Sequence, residues 1–264
     1  MPGLFTWLTH CAKLREQRGI SVARIGIIGS EGRMGQALVA AIAAAGEVHS
    51  GGVDQGGDPL ALARASDVLV DFSSPHALEA NLDAAMAAGI PIVVGTTGLE
   101  ERHHWLCDAA AESIAVLQTG NTSLGVTMMA WLVLEAAARL GEDWDIEIDE
   151  THHRMKLDAP SGTALLLGEA AAKGRGITLA DHSERGRDGI TGARARGAIG
   201  FASLRGGLVT GDHTVHLLSD EEHISLRHHA EDRAIFAKGA VKAAQWLLGK
   251  AAGRYAMGEV LGLA

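Results

Sequence analysis

The chain has 264 residues, a length that fits one large domain or two smaller ones. Alanine and glycine dominate while aromatic residues make up only 4%, which favours helices packed on a parallel sheet over an all-β sandwich. The formal net charge of −9 argues against a nucleic-acid partner. No run approaches the roughly 18 apolar residues of a membrane span. The two cysteines, Cys11 and Cys107, indicate neither a disulfide framework nor a thiolate zinc site, so a cytoplasmic location is expected.

The first recognisable feature is a glycine-rich turn between a strand and a helix. Residues 1–22 are predicted to be an extension ahead of the fold, and residues 23–29 a buried strand. Glycines then follow with the spacing Gly-x-x-Gly-x-x-Gly ahead of a predicted helix over residues 36–45. Such glycines allow a tight bend and let the backbone approach a pyrophosphate. The flanking strand and helix favour a dinucleotide site over a plain tight turn, with contacts from Gly29, Ser30, Glu31, Gly32, Arg33 and Met34.

An acidic residue follows the second predicted strand, residues 48–53. Asp54 stands where a carboxylate would accept hydrogen bonds from the adenosine ribose hydroxyls. The alternative is that Asp54 caps a helix or turn ahead of Asp58-Pro59. Residues 55–57, Gln-Gly-Gly, carry no positive charge for a 2′-phosphate. The expected cofactor is therefore NADH or NADPH, with NADH favoured.

Strands and helices then alternate along the chain. Strands are predicted over residues 67–72, 90–95 and 114–118, with helices over 75–88 and 100–112. This alternation predicts a Rossmann-like, doubly wound parallel sheet, in which ligands lie beyond the carboxyl ends of the strands. Two loops at those ends either contact the nicotinamide ribose or carboxamide or are plain connections. Their residues are Gly95, Thr96 and Thr97, and Thr119, Gly120, Asn121 and Thr122.

A second, smaller α+β domain with a mixed sheet is predicted after residue 123. Its strands are expected over residues 145–149, 199–205, 211–218 and 223–228, and helices over 124–140, 163–172 and 232–248. Residues 173–197, rich in glycine and arginine, predict a long mobile loop that is either a lid or solvated. The last helix is expected to return to the first domain. The predicted domains are therefore residues 23–123 with 234–264, and residues 124–233.

Residues 150–163 concentrate titratable side chains directly before a helix. His152, His153, Arg154 and Lys156 occupy five positions, and residues 160–163, Pro-Ser-Gly-Thr, open the helix. The free amides and the dipole of a helix N-terminus attract anions. Histidine titrates near neutrality, and burial and neighbouring charge tune lysine toward it. The stretch is either a site for a small polyanion with proton donors beside it or a solvated basic turn.

Thirteen histidines raise the question of a metal site. Adjacent histidines on a strand point to opposite faces, and no spacing typical of metal ligands is present. We therefore expect no metal. The later histidines are interpreted as strand-face or surface residues: His213, His216, His223, His228 and His229.

Four motifs in this order resemble the 4-hydroxy-tetrahydrodipicolinate (dihydrodipicolinate) reductase family of bacterial lysine and diaminopimelate synthesis. They are the glycine turn with Arg33-Met34, residues 95–98, residues 150–164 and residues 200–207. The similarity runs from about Arg24 to the C-terminus. It implies hydride transfer from NAD(P)H to a small cyclic dicarboxylate, with tetrahydrodipicolinate as the product. It also implies a homotetramer assembled through the sheet of the second domain.

The resemblance also implies roles for single residues. His152 matches the family's acid/base histidine and Lys156 its proton donor. Substrate contacts are implied for His153, Gly162 and Thr163. Arg154 is expected to form a structural ion pair with a nearby acidic residue. Met155 stands where many relatives have a third histidine, and Gln55 where a basic residue is often found, which weakens NADPH recognition.

Two other functions would use the same first domain. An amino-acid or keto-acid dehydrogenase, such as an aspartate-dehydrogenase-like enzyme, would share the glycine turn without needing the motif around His152. A nucleotide-sensing protein that has lost its chemistry predicts substitution of His152 or Lys156, and both residues are present.

Overall fold

The computed structural model describes residues 22–263, which form two compact units. The first unit extends to Thr122 and resumes over Phe236–Val260, and the second covers Ser123–Ile235 and begins again at Leu261. Residues from Leu261 on are thus grouped with the second unit, although the sequence assigned them to the first. The predicted extension lies outside the described residues, apart from Val22. Within the described range, no helix is long and apolar enough to cross a membrane.

The elements follow one another as the alternation of the sequence predicts. In chain order they are β1 (Arg24–Ile28), α1 (Arg33–Ala44), β2 (Val48–Val53), α2 (Pro59–Ala65), β3 (Val68–Asp71), a 3₁₀ turn (Pro75–Ala77), α3 (Leu78–Ala88), β4 (Ile92–Val94), α4 (Glu101–Ala111), β5 (Ala115–Gln118), α5 (Leu124–Leu140), β6 (Asp145–His152), α6 (Gly162–Arg175), α7 (Leu179–His182), β7 (Ser183–Glu184), β8 (Ile199–Arg205), β9 (Asp212–Leu218), β10 (His223–His229), α8 (Ala234–Leu247), β11 (Gly253–Tyr255) and α9 (Met257–Val260).

The first unit contains a six-stranded parallel sheet in the order β11-β5-β4-β3-β1-β2, which confirms the doubly wound fold. The central strands β1 and β3 are apolar runs because such sheets are covered on both faces. Neighbours of β1 are β2 on one side and β3 on the other. The chain therefore reverses direction across the sheet at β1, and this switch point opens a crevice at the carboxyl ends of the strands.

Three elements of the first unit are not in the prediction: α2, β11 and α9. Helix α2 begins at Pro59, and the Asp58 carboxylate caps it by accepting hydrogen bonds from the amides of Leu60 and Ala61 at 2.9 and 3.1 Å. Asp58, rather than Asp54, is thus the capping residue. Strand β11 adds to the sheet beside β5. All three elements are short, and short elements carry little periodicity.

The second unit contains a mixed sheet of five strands in the order β10-β9-β6-β8-β7, one more than expected. Strand β6 is parallel to β8 and antiparallel to β9. Its buried residues, which include Ile146 and Ile148, alternate with half-buried acidic ones, so one face packs in the core with α5 and α6. The strand continues to His152, which places this side chain on the sheet itself.

The prediction of one long loop over residues 173–197 is wrong for its first part, whereas residues 185–198 contain no helix or strand. Helix α6 continues to Arg175, and α7 and β7 follow it. The Arg194 guanidinium then binds Asp145 at 2.6 Å and Glu147 at 2.8 Å, while Arg187 binds Glu147 and Glu184 at 2.8 and 2.7 Å. These ion pairs fasten the segment to the half-buried acidic side chains of β6.

Helices α5 and α6 pack closely against each other at Gly174. A Cβ atom at this position would lie 2.4 Å from the Leu134 carbonyl oxygen and 3.0 Å from the Ala137 Cβ. The Leu134 oxygen belongs to the backbone of α5, so it cannot shift without distorting that helix. Overpacking costs about 1–3 kcal/mol, more than the roughly 0.5–1 kcal/mol that alanine gains over glycine within a helix.

Gly174→Ala is therefore expected to lower the thermal unfolding midpoint of the protein. Lys173→Ala, at the exposed neighbouring position, is the matched control and should change stability by no more than roughly 0.5 kcal/mol. Both variants are compared with the wild type by differential scanning calorimetry. Equal midpoints for Gly174→Ala and Lys173→Ala would contradict the close approach of the helices.

Candidate active site

The glycine turn of the first unit has the geometry of a phosphate-binding loop. Gly29 has φ +84°, and a Cβ at Gly35 would lie 2.3 Å from the Gly29 carbonyl oxygen. The turn leads directly into α1, whose first amides have no partner within the helix. Backbone amides at a helix N-terminus bind phosphate oxygens. The turn that holds Gly29 to Met34 therefore fits the pyrophosphate of a dinucleotide.

Asp54 lies at the end of β2 and is bound to this turn. Its carboxylate accepts hydrogen bonds from the Ser30 hydroxyl at 2.5 Å and from the Glu31 amide at 3.1 and 3.2 Å. Beside it lies a cavity of about 680 Å³, with an apolar wall that includes Leu62 of α2. The charged residues that line the cavity are all acidic: Glu31, Asp54 and Asp58.

The two predicted loops follow β4 and β5, at the same edge of the parallel sheet as the glycine turn. After β4, Gly95 lies under the Phe72 ring, and a Cβ there would come within 2.4 Å of the Phe72 Cζ. The buried Thr96 hydroxyl donates to the Asp71 carboxylate at 3.2 Å, and burial raises the pKa of that carboxyl group. Thr97 is exposed beyond them.

After β5 the hydroxyl groups of the loop are used within the first unit. Thr119 donates to the Asn121 carbonyl at 2.8 Å and accepts from the Asn121 amide at 3.1 Å, while Thr122 donates to the Phe236 carbonyl at 2.8 Å. Gly120 is exposed at the tip. These contacts give the loop after β5 a defined shape. Among the predicted residues of the two loops, Thr97 and Gly120 are the exposed ones and therefore the ones available to a ligand.

In the second unit, His152 is bound to a buried carboxylate. Its Nδ1 lies 2.5 Å from Glu150 Oε2, and the Arg205 guanidinium binds both oxygens of Glu150, at 2.8 and 2.7 Å. Burial by itself would raise the pKa of Glu150, but the hydrogen bonds from Arg205 and His152 outweigh it and lower the pKa to about 2. Burial lowers the pKa of His152, against the opposing effect of Glu150.

Lys156 and the start of α6 are connected to the same cluster. The Lys156 ammonium binds the Asp158 carboxylate at 2.8 and 2.9 Å, and Arg205 donates to the Asp158 carbonyl at 2.7 Å. The Ser161 amide donates to Glu150 at 3.2 Å, and its hydroxyl caps α6 by accepting from the Ala164 amide at 3.1 Å. Gly162 follows at the exposed helix start, with Thr163 half-buried after it. The structure therefore brings the predicted proton donors and the predicted carboxylate site into one cluster.

The remaining residues of the motif lie at its edge. The His153 amide donates to the Val209 carbonyl at 2.8 Å, and its Nε2 lies 3.3 Å from Arg233 Nη2. Arg154 is exposed, and within the described part of the chain no acidic side chain forms an ion pair with it. The predicted structural ion pair of Arg154 is therefore wrong. Met155 is also exposed.

His213 is a residue of this cluster that the sequence interpretation missed. It is buried rather than at the surface, its Nε2 lies 2.9 Å from the Ser161 hydroxyl, and its ring meets the His152 ring edge-on at 5.1 Å. Burial and the neighbouring His152 lower its pKa to about 4. Period-two alternation along β9 was the available signal, because it places His213 on the face of Val215 and Leu217.

Glu150 and Arg205 were quoted within the motifs but given no role. Alternation along β6 puts Glu150 on the buried face with Ile148, where a carboxylate needs a partner. Of the other histidines, His216 and His229 bind Asp149 and Asp212 at the surface, as expected. Among the described residues, no group of three or more His, Cys, Asp or Glu side chains could hold a metal ion.

Comparison with known proteins identifies relatives over nearly the whole chain. Residues 23–122 match the family model for the N-terminus of dihydrodipicolinate reductase, and residues 125–261 match the model for its C-terminus. A 4-hydroxy-tetrahydrodipicolinate reductase from Zymomonas mobilis is 54% identical over 92% of this chain and 98% of its own. One from Bradyrhizobium diazoefficiens is 46% identical over 93% of this chain and 99% of its own.

A solved structure supports the fold. A dipicolinate-bound dihydrodipicolinate reductase from Paenisporosarcina sp. TG-14 aligns with a TM-score of 0.70 at 24% identity, over 89% of this chain and 98% of that one. A DAP dehydrogenase from C. glutamicum aligns with a TM-score of 0.54 at 15% identity, over 92% and 94% of the two chains. At these identities the likeness concerns the fold alone.

Two buried groups of the cluster make the stability of the protein depend on pH. The pKa of Glu150 is depressed to about 2, so its stabilisation is present above pH 4.5 and is lost as the pH falls toward 2. The pKa of His213 is depressed from 6.5 to about 4, so the unfolded chain binds its proton more readily. Stability therefore falls as the pH drops from 6.5 to 4 because of His213. The loss of stability that comes from protonation of Glu150 follows at lower pH.

His213→Gln, which can keep the hydrogen bond to Ser161, is expected to flatten the pH dependence of stability between pH 6.5 and 4. The effect amounts to at most roughly 3 kcal/mol at pH 4, and His152 and His228, whose pKa values burial also lowers, contribute to the slope that remains. Denaturant unfolding at several pH values measures it. The exposed His223→Gln is the control and should keep the wild-type slope; an unchanged slope in His213→Gln would contradict the burial of a neutral histidine.

Proposed function

The chain belongs to the dihydrodipicolinate reductase family, and we propose that it reduces 4-hydroxy-tetrahydrodipicolinate to tetrahydrodipicolinate in lysine and diaminopimelate biosynthesis. The observation that carries the proposal is the single cluster in which Glu150 and Arg205 connect His152, the segment of Lys156 and the start of α6. Membership of this oxidoreductase family decides against an aspartate-dehydrogenase-like enzyme. Intact His152 and Lys156 argue against a binding protein without chemistry.

A nicotinamide nucleotide is the cofactor of this family, and it supplies the hydride when bound. In this chain the glycine turn at Gly29–Met34 would hold the pyrophosphate. The cavity beside Asp54 would take the adenosine, with Leu62 against the base, and the loops at Thr97 and Gly120 would meet the nicotinamide end. NADH is the preferred form, because a 2′-phosphate would enter a cavity whose charged residues are all acidic.

The residues of the second unit that are proposed to bind the substrate must compensate the charge of its two carboxylates. A protein of net charge −9 has no general attraction for anions, so local groups must supply it. The amides of Gly162 and Thr163 at the positive end of the 14-residue helix α6 bind one carboxylate. The Lys156 ammonium compensates the other, and His153 orients the ring.

The hydroxyl group leaves as water together with a hydrogen of the neighbouring ring carbon, and the conjugated imine that results takes up one hydride and one proton. Lys156 donates the proton from Nζ to the reduced ring and is then reprotonated from solvent. Asp158 holds Nζ through both carboxylate oxygens, which fixes the donor. His152 is uncharged near neutral pH because burial lowers its pKa. It therefore serves as the acid/base group with one free ring nitrogen.

The proposal includes a cytoplasmic homotetramer assembled through the sheet of the second unit. The face of that sheet opposite the core carries ordered polar pairs, such as His216 with Asp149 at 2.7 Å and Arg227 with Asp212 at 3.2 Å. Side chains fixed in this way lose little further freedom on association. Neither nucleic acid nor a membrane is a proposed partner.

The decisive experiment couples the protein to a synthase that makes the unstable substrate in place. Loss of NADH absorbance should require the synthase, its substrates and this protein together. Absence of synthase-dependent oxidation with both NADH and NADPH would refute the proposed function.

Lys156→Ala and His152→Ala are each expected to lower kcat by about 10²- to 10⁴-fold, because each removes a group that handles protons. The dissociation constant for NADH should change far less, since neither residue lies in the nucleotide-binding unit. Steady-state kinetics and fluorescence titration with NADH measure the two effects. Lys173→Ala, at the exposed end of α6, is the control and should keep wild-type kinetics. Near-normal turnover in both active-site variants would contradict the roles assigned to Lys156 and His152.

Gln55→Arg is expected to raise kcat/KM for NADPH relative to NADH by about tenfold. A guanidinium beside a 2′-phosphate gains a charge-assisted hydrogen bond of roughly 1.5 kcal/mol, and tenfold corresponds to about 1.4 kcal/mol. Gln55→Met keeps the length without the charge and should leave the cofactor ratio unchanged. A wild-type preference for NADPH would contradict the acidic cavity as the selecting feature.

A further inference from the structure

Glu150 is a buried carboxylate to which the proposed function assigns no role. Its residue is 1% exposed, and both oxygens are fully used. Oε1 accepts from Arg205 Nη2 at 2.7 Å and from the Ser161 amide at 3.2 Å, while Oε2 accepts from Arg205 Nη1 at 2.8 Å and pairs with His152 Nδ1 at 2.5 Å. A buried charge is costly unless it is paired in this way. A buried and fully paired carboxylate that is hydrogen-bonded to His152 points to a role in the reaction.

The bond to Glu150 determines which nitrogen of His152 carries the proton. An ionised carboxylate only accepts hydrogen bonds, so Nδ1 must be the N–H in the neutral ring. The lone pair is then on Nε2. We propose that Glu150 is a positioning residue that holds His152 in the Nδ1–H tautomer, so that Nε2 is the nitrogen that exchanges protons during the reaction.

The surroundings of the ring support this assignment. A Cβ at Gly211 would lie 3.0 Å from His152 Nε2 and 3.4 Å from its Cδ2, so glycine leaves the space beside that nitrogen open. His213 meets the ring edge-on at 5.1 Å with an interplanar angle of 75°. The ring is thus held at Nδ1 and along one edge, and Nε2 lies beside the space that Gly211 leaves.

Proton transfer at Nε2 is balanced without a proton on Glu150. When Nε2 takes a proton, an Nε2–H bond forms and the ring becomes a cation next to the Glu150 carboxylate. When it gives the proton up, the ring returns to the neutral Nδ1–H form. Glu150 stays ionised throughout because Arg205 binds both of its oxygens.

The same arginine reaches the second proton-handling group. Arg205 Nη2 donates to the Asp158 carbonyl at 2.7 Å, and the Asp158 side chain holds Lys156. The ion pair between Glu150 on β6 and Arg205 on β8 therefore holds His152 through a direct hydrogen bond from Glu150. It holds the segment of Lys156 through Asp158. Only the part concerning His152 is the proposal tested below.

The tautomer is measured by nitrogen NMR on the full chain with labelled histidines, without cofactor or substrate. The His152 signals are identified by their absence in His152→Asn. The wild type should show a protonated Nδ1 and an unprotonated Nε2, and Glu150→Gln should shift the ring toward the Nε2–H form. An Nε2–H tautomer in the wild type would overturn the proposal, and this readout requires no turnover.

Kinetics test whether the tautomer matters, which rests on the proposed function. Glu150→Gln should lower kcat at least about 10²-fold, with KM for the substrate changed less than about threefold. The acid limb of the pH profile should move to lower pH, because loss of the carboxylate removes the group that raises the pKa of His152. An unmoved limb with wild-type kcat would count against the proposal.

Glu147→Gln is the matched control. Glu147 lies on the same strand three positions earlier, and two arginines bind it, but no histidine does. It should therefore lose comparable ion pairs and keep kcat near the wild-type value. An equal loss of kcat in Glu147→Gln and Glu150→Gln would show that broken ion pairs alone explain the effect, and would overturn the proposal.

A double-mutant cycle separates His152 from the other partners of Glu150. If Glu150 acts through His152, Glu150→Gln adds no further loss of kcat in the His152→Ala background. If it acts through Arg205 and the Lys156 segment, the two losses multiply, and this outcome overturns the proposal. A wild-type enzyme that fails to turn over the substrate refutes the proposed function, while the NMR measurement still decides the tautomer.

Discussion

The buried ion pair between Glu150 and Arg205 is the constraint on which the second unit depends. It joins the parallel strands β6 and β8. The Glu150 carboxylate also accepts a hydrogen bond from the amide of Ser161, the N-cap of α6, and pairs with His152. Removing one partner of such a pair typically costs about 3–5 kcal/mol, since the other charge remains buried. The pair is tolerated because each oxygen of the carboxylate has two donors. Under the proposed mechanism, stability and proton chemistry thus depend on one group, which limits how either can change.

The two units use different parts of the chain for binding. In the first, the backbone forms the proposed phosphate site, because glycines at 29 and 35 allow the turn that leads into α1. In the second, side chains at the end of β6 and before α6 are the ones proposed to carry the chemistry. A chain of net charge −9 needs local sources of positive potential for anionic ligands. The N-termini of α1 and α6 are the proposed sources in the two units, and Lys156 is a further one in the second.

Much of the architecture followed from periodicity. Apolar runs such as Ile25–Ile28 and the alternation of β6 are local patterns, and both produced strands where they were expected. The prediction for residues 173–197 missed α7, β7 and the ion pairs of this segment, because such contacts join residues far apart in the chain: Arg187 binds Glu147, 40 positions away. The ion pair expected for Arg154 failed for the opposite reason, since nearby acidic residues in sequence, such as Asp158, were already paired in space.

The sequence by itself determined the alternating elements, the glycine turn and the family resemblance, and it predicted His152 and Lys156 as proton-handling residues. These follow from local spacing and residue type, which a linear pattern records. Only the tertiary structure decided that Glu150, Arg205 and His213 surround His152, and that Asp158 holds Lys156. His213 lies 61 positions from His152 in the chain and 5.1 Å from it between ring centroids. Burial and hydrogen bonding across strands set protonation states, and no one-dimensional pattern contains those distances.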